Sequence, residues 1–287
     1  MTGPGAPAGV ELRGPRPTRA SAASESRRGE VAPASDPGRG GITTALRRGW
    51  NATWAVTRKE LYSYLVSPMA YVVAAVFLLV NGFIFYLIIA SPQAEASLRP
   101  LLPTTAFLLL LLIPVLTMRL LAEEKSTGTI ELLMTFPITD TQVVLGKFLA
   151  TFLVYLLMLL PTLIYVGVIR VFGGNEWGPL VSAYLGLVLL GGAFIAVGMF
   201  TSSLTRNQIV AGVLGIGILL LLWVLGAGSS VLGPRLSAVI AYLSLNDHFQ
   251  NFGQGVIDLK DVIFYLTFTA GALFLTIRIQ ESSRWRT

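Results

Sequence analysis

The chain has 287 residues, of which 54% are hydrophobic and only 13% charged, with a mean hydropathy of +0.70. A soluble domain carries about twice that charged fraction, and the absence of cysteine excludes disulfides and thiolate metal or redox sites. The net charge is +6, but ten of the 21 Lys and Arg residues precede the first long apolar run. That placement speaks for membrane topology and lipid headgroups, not for nucleic acid.

Residues 1–46 are rich in Pro, Gly, Ala, Ser and Arg and lack apolar periodicity. Such a segment buries too little surface to offset its ordering entropy, so it reads as a disordered basic tail. It has no h-region of a secretory signal. From Gly49 to Val66 the character is mixed: Trp50, Trp54, Leu61 and Leu65 share one helical face, while Arg58, Lys59 and Glu60 break the apolar run. This suits a helix lying in the membrane interface, ended by Ser67-Pro68.

Six apolar runs come next, at about 69–90, 101–121, 142–169, 180–203, 208–229 and 259–279, each long enough to cross some 30 Å of hydrocarbon. The expected fold is therefore all-α: a polytopic membrane protein of six transmembrane helices, with an N-terminal interfacial helix. With the N-terminus inside, the inner segments hold 17 Lys and Arg and the outer ones four, Arg99, Arg170, Arg235 and Lys260. The positive-inside bias then places both termini in the cytoplasm. Pro114 and Pro161 fall inside spans, where they can kink helices. Ser182 and Gly186, Gly192 and Ala196, and Ala211 and Gly215 are each four apart. That spacing admits close packing, within one subunit or across a dimer seam.

The loop between the second and third spans, "RLLAEEKSTGTIELLMTFPITDTQ", is more elaborate than a turn requires. "GTIELLMTF" can form two helical turns with Ile130, Leu133 and Met134 on one face and Glu131 near the positive N-terminal end; Pro137 stops it. Thr139 and Gln142 then have capping-box spacing for the third span. A short helix with an apolar face is either a docking element for a soluble partner or a helix resting on the headgroups.

The loop and its continuation into the third span, "VVLGKFLA", resemble the cytoplasmic loop of ABC-2 type permeases, membrane subunits of a class of ABC transporters. The matching residues are Glu123, Glu124, Gly128, Thr129, Glu131, Leu132, Leu133, Pro137, Gly146 and Lys147. "TRKELYSYLVSPMAYV" resembles the family's elbow leading into the first span, and "YLSLNDHFQNFGQGVIDLKDVIFYL" the end of the gliding-motility-type branch. The resemblance implies that residues 47–287 form a six-span permease domain. It also implies that the loop carries a coupling helix seated in a separate ATP-binding subunit. Glu123, Glu124, Gly128, Thr129, Glu131, Leu132, Leu133 and Met134 would make that contact, and Trp54, Arg58, Lys59 and Glu60 would belong to the elbow. ATP and magnesium would be held by the partner, with no cofactor, metal or catalytic residue in this chain. Two permease copies, alike or different, would pair in the cytoplasmic membrane among its lipids, with export as the expected direction.

The residues themselves agree with a non-enzymatic reading. Gly146-Lys147 is followed by Phe148 and lacks the upstream Gly, so it is no phosphate loop. Neither HExxH nor GxSxG occurs, and His248 stands alone outside the spans in the polar cluster Asn246-Asp247-His248, read as an interfacial polar turn. The span cores carry no Asp, Glu, Lys or Arg, which counts against ion-coupled transport. A membrane scaffold or assembly protein, or an ATP-independent transporter, is the alternative.

Overall fold

In a computed structural model the described residues are Gly3, 41–91, 97–128, 139–171, 177–228 and 242–284. The chain divides into two units, Met1–Arg47 and Arg48–Thr287. In the first, only Gly3 and the start of a helix are described; the second holds the rest.

The architecture is all-α, with no strand among the described residues. The elements are α1 (Gly41–Val66), α2 (Pro68–Ala90), α3 (Leu101–Thr117), α4 (Arg119–Thr127) and α5 (Asp140–Leu159). After a 3₁₀ turn at Leu160–Thr162 come α6 (Leu163–Val171), α7 (Trp177–Leu204), α8 (Gln208–Gly228), α9 (Leu245–Gly253) and α10 (Leu259–Arg284). Six helical stretches are long and apolar enough to cross a membrane: Pro68–Ala90, Leu101–Thr127, Asp140–Val171, Gly178–Leu204, Gln208–Leu225 and Leu259–Ser282. They coincide with the six apolar runs.

Local chemistry sets the boundaries. Ser67 is extended (φ −77°, ψ 123°) because Pro68 follows it, and Pro68 then opens α2, where its missing N–H costs nothing. Thr139 starts α5 with the expected capping box. Its hydroxyl accepts from the Gln142 N–H at 3.4 Å, and the Gln142 carbonyl oxygen accepts from the Thr139 N–H at 3.2 Å. Pro161 sits in the 3₁₀ turn that separates α5 from α6.

Helix α7 is the axle. It is the most buried span and packs against α3, α4, α5, α8, α9 and α10. Its small residues permit this: a Cβ on Gly186 would lie 2.6 Å from the Phe252 side chain of α9. Gly215 of α8 likewise faces Thr201 and Pro114 at 3.1 and 3.2 Å. At these two glycines the four-residue spacing serves packing within one chain.

The polar cluster near Asn246 is corrected in one respect. It forms the helix α9, not a turn, capped by Ser244, whose hydroxyl accepts from the Asp247 N–H at 3.3 Å. The face carrying Leu245, His248, Phe249 and Phe252 is buried. His248 Nδ1 lies 2.5 Å from Asp261 Oδ1, its Nε2 lies 3.0 Å from the Tyr242 carbonyl, and its ring stacks on Phe264 at 3.9 Å. Asn251 donates to the other Asp261 oxygen at 2.8 Å. This buried pair ties α9 to the first turn of α10.

Candidate functional site

Helix α1 turns a polar stripe inward. Thr53, Thr57 and Tyr64 are buried and Glu60 is mostly so, spaced four, three and four residues apart on one helical face. Trp50, Trp54 and Leu65 occupy the opposite, exposed face, together with Arg58, Lys59 and Tyr62. The stripe fits against the start of α5 because Gly146 has no side chain. A Cβ there would lie 2.8 Å from Val56 and 3.0 Å from the Thr53 carbonyl. The Thr57 hydroxyl, in turn, lies 3.2 Å from the Gly146 carbonyl.

That close approach carries Lys147 into contact with Glu60. The Lys147 ammonium, with a side chain only 3% exposed, lies 3.0 Å from Glu60 Oε1 and 2.8 Å from Glu124 Oε1. Three elements thus meet on one buried cation: α1, the α4 end of the second span and the start of the third span. Coulomb attraction in this sheltered position is strong, but two carboxylates on one ammonium leave a net negative charge. The buried Glu124 Oε2 has no hydrogen-bond partner among the described residues. A cavity of about 390 Å³ opens beside the triad, lined by Tyr64, Arg119, Glu123 and Thr127 as well.

Tyr64 and Arg119 complete the joint. The Tyr64 hydroxyl donates to the Leu116 carbonyl at 3.1 Å and lies 3.3 Å from the Thr151 hydroxyl, which donates to it. Burial pushes the phenol up to about 12, opposed by the Thr151 hydrogen bond and the nearby Arg119. Arg119 stacks over the Tyr64 ring at 5.0 Å and donates to the Ser67 hydroxyl at 2.9 Å.

On its other side α4 is bound to α7. The Ser202 hydroxyl donates to the Met118 carbonyl at 2.8 Å and accepts from the Leu121 and Ala122 N–H groups at 3.1 and 3.0 Å. A side-chain oxygen is therefore inserted between the carbonyl of residue 118 and the N–H of residue 122, where a helix would bond directly. That insertion, one turn after Pro114, breaks the second span into α3 and α4. Lys125 donates to the Ser203 carbonyl nearby. Gly128 closes α4 in the left-handed conformation (φ 71°), which glycine adopts without strain.

The two adjacent carboxylates differ in placement: Glu124 turns in to Lys147, while Glu123 is exposed at the cavity rim. Of the residues expected in an elbow, Glu60 belongs to the triad, and Trp54, Arg58 and Lys59 face outward. Thr129, Glu131, Leu132, Leu133 and Met134 lie outside the described residues, as do Pro137 and the expected loop helix. Sequence reading did not find Ser202 or the pairing of Lys147 with Glu60. A lysine beside a glycine in the first two turns of an apolar span is a usable signal, because it needs a counter-charge. Ser202 offers none. No group of three or more His, Asp or Glu suited to a metal occurs among the described residues.

A bundle of six membrane-length helices, with α1 joined to the broken second span by buried charge, is the architecture of a multi-pass membrane protein. Residues 80–259, more than half of the chain, match the family described as ABC-2 family transporter protein. The chain belongs to that family and is a membrane permease component of an ABC transporter, a subunit that is not itself catalytic. No curated protein matches it.

Proposed function

We propose that this permease couples ATP hydrolysis on a separate ATP-binding subunit to export across the cytoplasmic membrane, working beside a second permease copy. ATP and its magnesium are held by the partner. The loop from Glu123 to Phe136 docks there, with Glu123, Gly128, Thr129, Glu131, Leu132, Leu133 and Met134 at the contact and Glu124 behind it. Both termini face the cytoplasm, and residues 47–287 act as one permease domain behind a basic tail.

The observation that carries this reading is the buried Glu60–Lys147–Glu124 triad. A loop that only connected two spans would not need its flanking helix held to the elbow and third span by buried charge, and to α7 by Ser202. Closure of the partner displaces α4, and the triad and Ser202 pass that displacement to α1, α5 and α7. An inter-subunit path lined mostly by apolar helices suits amphipathic or lipid-linked cargo.

Co-purification in mild detergent followed by an ATPase assay tests it. An ATP-binding subunit is expected to accompany the wild type and to be lost, or to hydrolyse ATP without stimulation, when Glu123→Ala is combined with Leu133→Asp. Recovery of the permease with a non-ATPase partner alone sinks the coupling reading and favours a scaffold.

A further inference from the structure

Helix α1 is amphipathic in an unusual sense: its polar stripe faces protein, and its aromatic face is exposed. Trp50, Trp54 and Tyr62 are 66%, 54% and 70% exposed. Large aromatic surfaces left in water forfeit their transfer free energy, so an apolar-edged medium covers this face. The first membrane span begins two residues after the helix ends, which puts that medium at the lipid interface.

The chemistry of the same face is one-sided. Asn51, Trp54, Arg58, Lys59 and Tyr62 lie along this one exposed face. At successive turns they offer an amide, an indole N–H, a guanidinium, an ammonium and a phenol, all hydrogen-bond donors. The one acidic residue adjoining these, Glu60, is turned away to Lys147, and its carboxylate reaches Lys59 only at 3.9 Å. Arg58 and Lys59 therefore leave the face positive, with no carboxylate on it to receive the ammonium of a zwitterionic lipid.

We propose that the Arg58–Lys59 end of this face is a binding site for the phosphate of an anionic phospholipid headgroup. The Arg58 guanidinium grips two phosphate oxygens, and Lys59 adds a second positive charge. Tyr62, one turn further on, donates from the flank, while Trp54, one turn before, packs its ring on the glycerol and upper acyl region. The site takes a lipid with net negative charge in preference to phosphatidylcholine. It rests on α1 lying in the interface, and not on the coupling role of the loop. Occupancy holds α1 at a fixed depth, and with it the Glu60 end of the triad.

Native mass spectrometry of the full chain in detergent, offered phosphatidylcholine and phosphatidylglycerol at four to one, tests the site. The wild type is expected to retain phosphatidylglycerol selectively. Arg58→Gln with Lys59→Gln is expected to weaken that retention about thirtyfold, at roughly 1 kcal/mol per basic group. Arg27→Gln with Arg28→Gln, which removes the same charge from the N-terminal segment, leaves retention within about twofold. All variants should share the wild-type elution profile, and Arg58→Lys, which keeps the charge but not the two-pronged grip, should fall between the wild type and the double variant.

Equal retention of the two lipids by the wild type overturns the site while leaving an interfacial helix intact. Equal loss from the control pair overturns it in favour of diffuse charge attraction. Displacement of the lipid by inorganic phosphate at millimolar concentration would assign the Arg58–Lys59 site to free phosphate instead.

Discussion

Lys147 is the residue on which the joint of α1, α4 and α5 depends. Replacing it by Met removes one charge and leaves two carboxylates buried beside each other, a loss of about 3–5 kcal/mol by analogy with broken buried pairs. Chemical unfolding in detergent should show that drop, and adding Glu60→Gln and Glu124→Gln should recover a large part of it. A triple variant no more stable than Lys147→Met alone would mean that the charges are not coupled. Tyr64 gives a pH-dependent counterpart. Between pH 10 and 12 an unfolded tyrosine ionises while Tyr64 stays neutral, so its folded-state contribution falls as pH rises through that window, by about 3 kcal/mol in full. Tyr64→Phe loses a hydrogen bond worth about 1 kcal/mol at neutral pH. Its deficit relative to wild type should shrink and then reverse as unfolding is repeated toward pH 11.5.

At the scale of elements, what could be read from sequence depended on whether the signal was local. Pro68, the Thr139–Gln142 capping box and the six apolar runs each act within a few residues, and the corresponding helices begin where those signals stand. The division of the second span at Met118 was not legible, because Pro114 announces a disturbance while the oxygen that opens the ladder comes from Ser202, more than 80 residues away. The inward orientation of the polar face of α1 was hidden for a similar reason: Thr57 and Glu60 find their partners on α5. His248 looked like one of three adjacent polar residues until α9 turned it toward Asp261. Gly186→Leu should push Phe252 out of its seat and displace α9, costing about 1–3 kcal/mol or more by overpacking. Faster hydrogen exchange confined to α9 and the start of α10 would register it, and unchanged exchange there would contradict the packing described.

For the whole molecule, the cysteine-free sequence makes the expected orientation open to direct measurement. Ser126 lies exposed at the end of α4, and Gln254 is exposed just after α9. Single replacements Ser126→Cys and Gln254→Cys should label from opposite sides of sealed vesicles with a membrane-impermeant maleimide, the first from the cytoplasmic face. Labelling of both from one side would contradict a six-span topology, and the opposite pattern would invert it. The count of spans was plain in the sequence because hydropathy is summed over about 20 residues. Their arrangement around α7 was not, because small residues mark a close approach without naming what approaches.

The hydroxyl of Ser202 also limits how α4 can move. It holds the carbonyl of Met118 and the N–H groups of Leu121 and Ala122 at a single point, close to where α3 ends. Spinning α4 about its own axis would break all three contacts together, at about 1 kcal/mol each, whereas swinging its far end about that point strains them least. Rotation of this short rod about its axis is therefore resisted at the Ser202 point more strongly than tilt, while Lys125 on the Ser203 carbonyl and Glu124 on Lys147 hold its far half. A push at the Gly128 end would thereby be taken up as tilt before rotation, keeping the angular setting that aims Glu124 at Lys147.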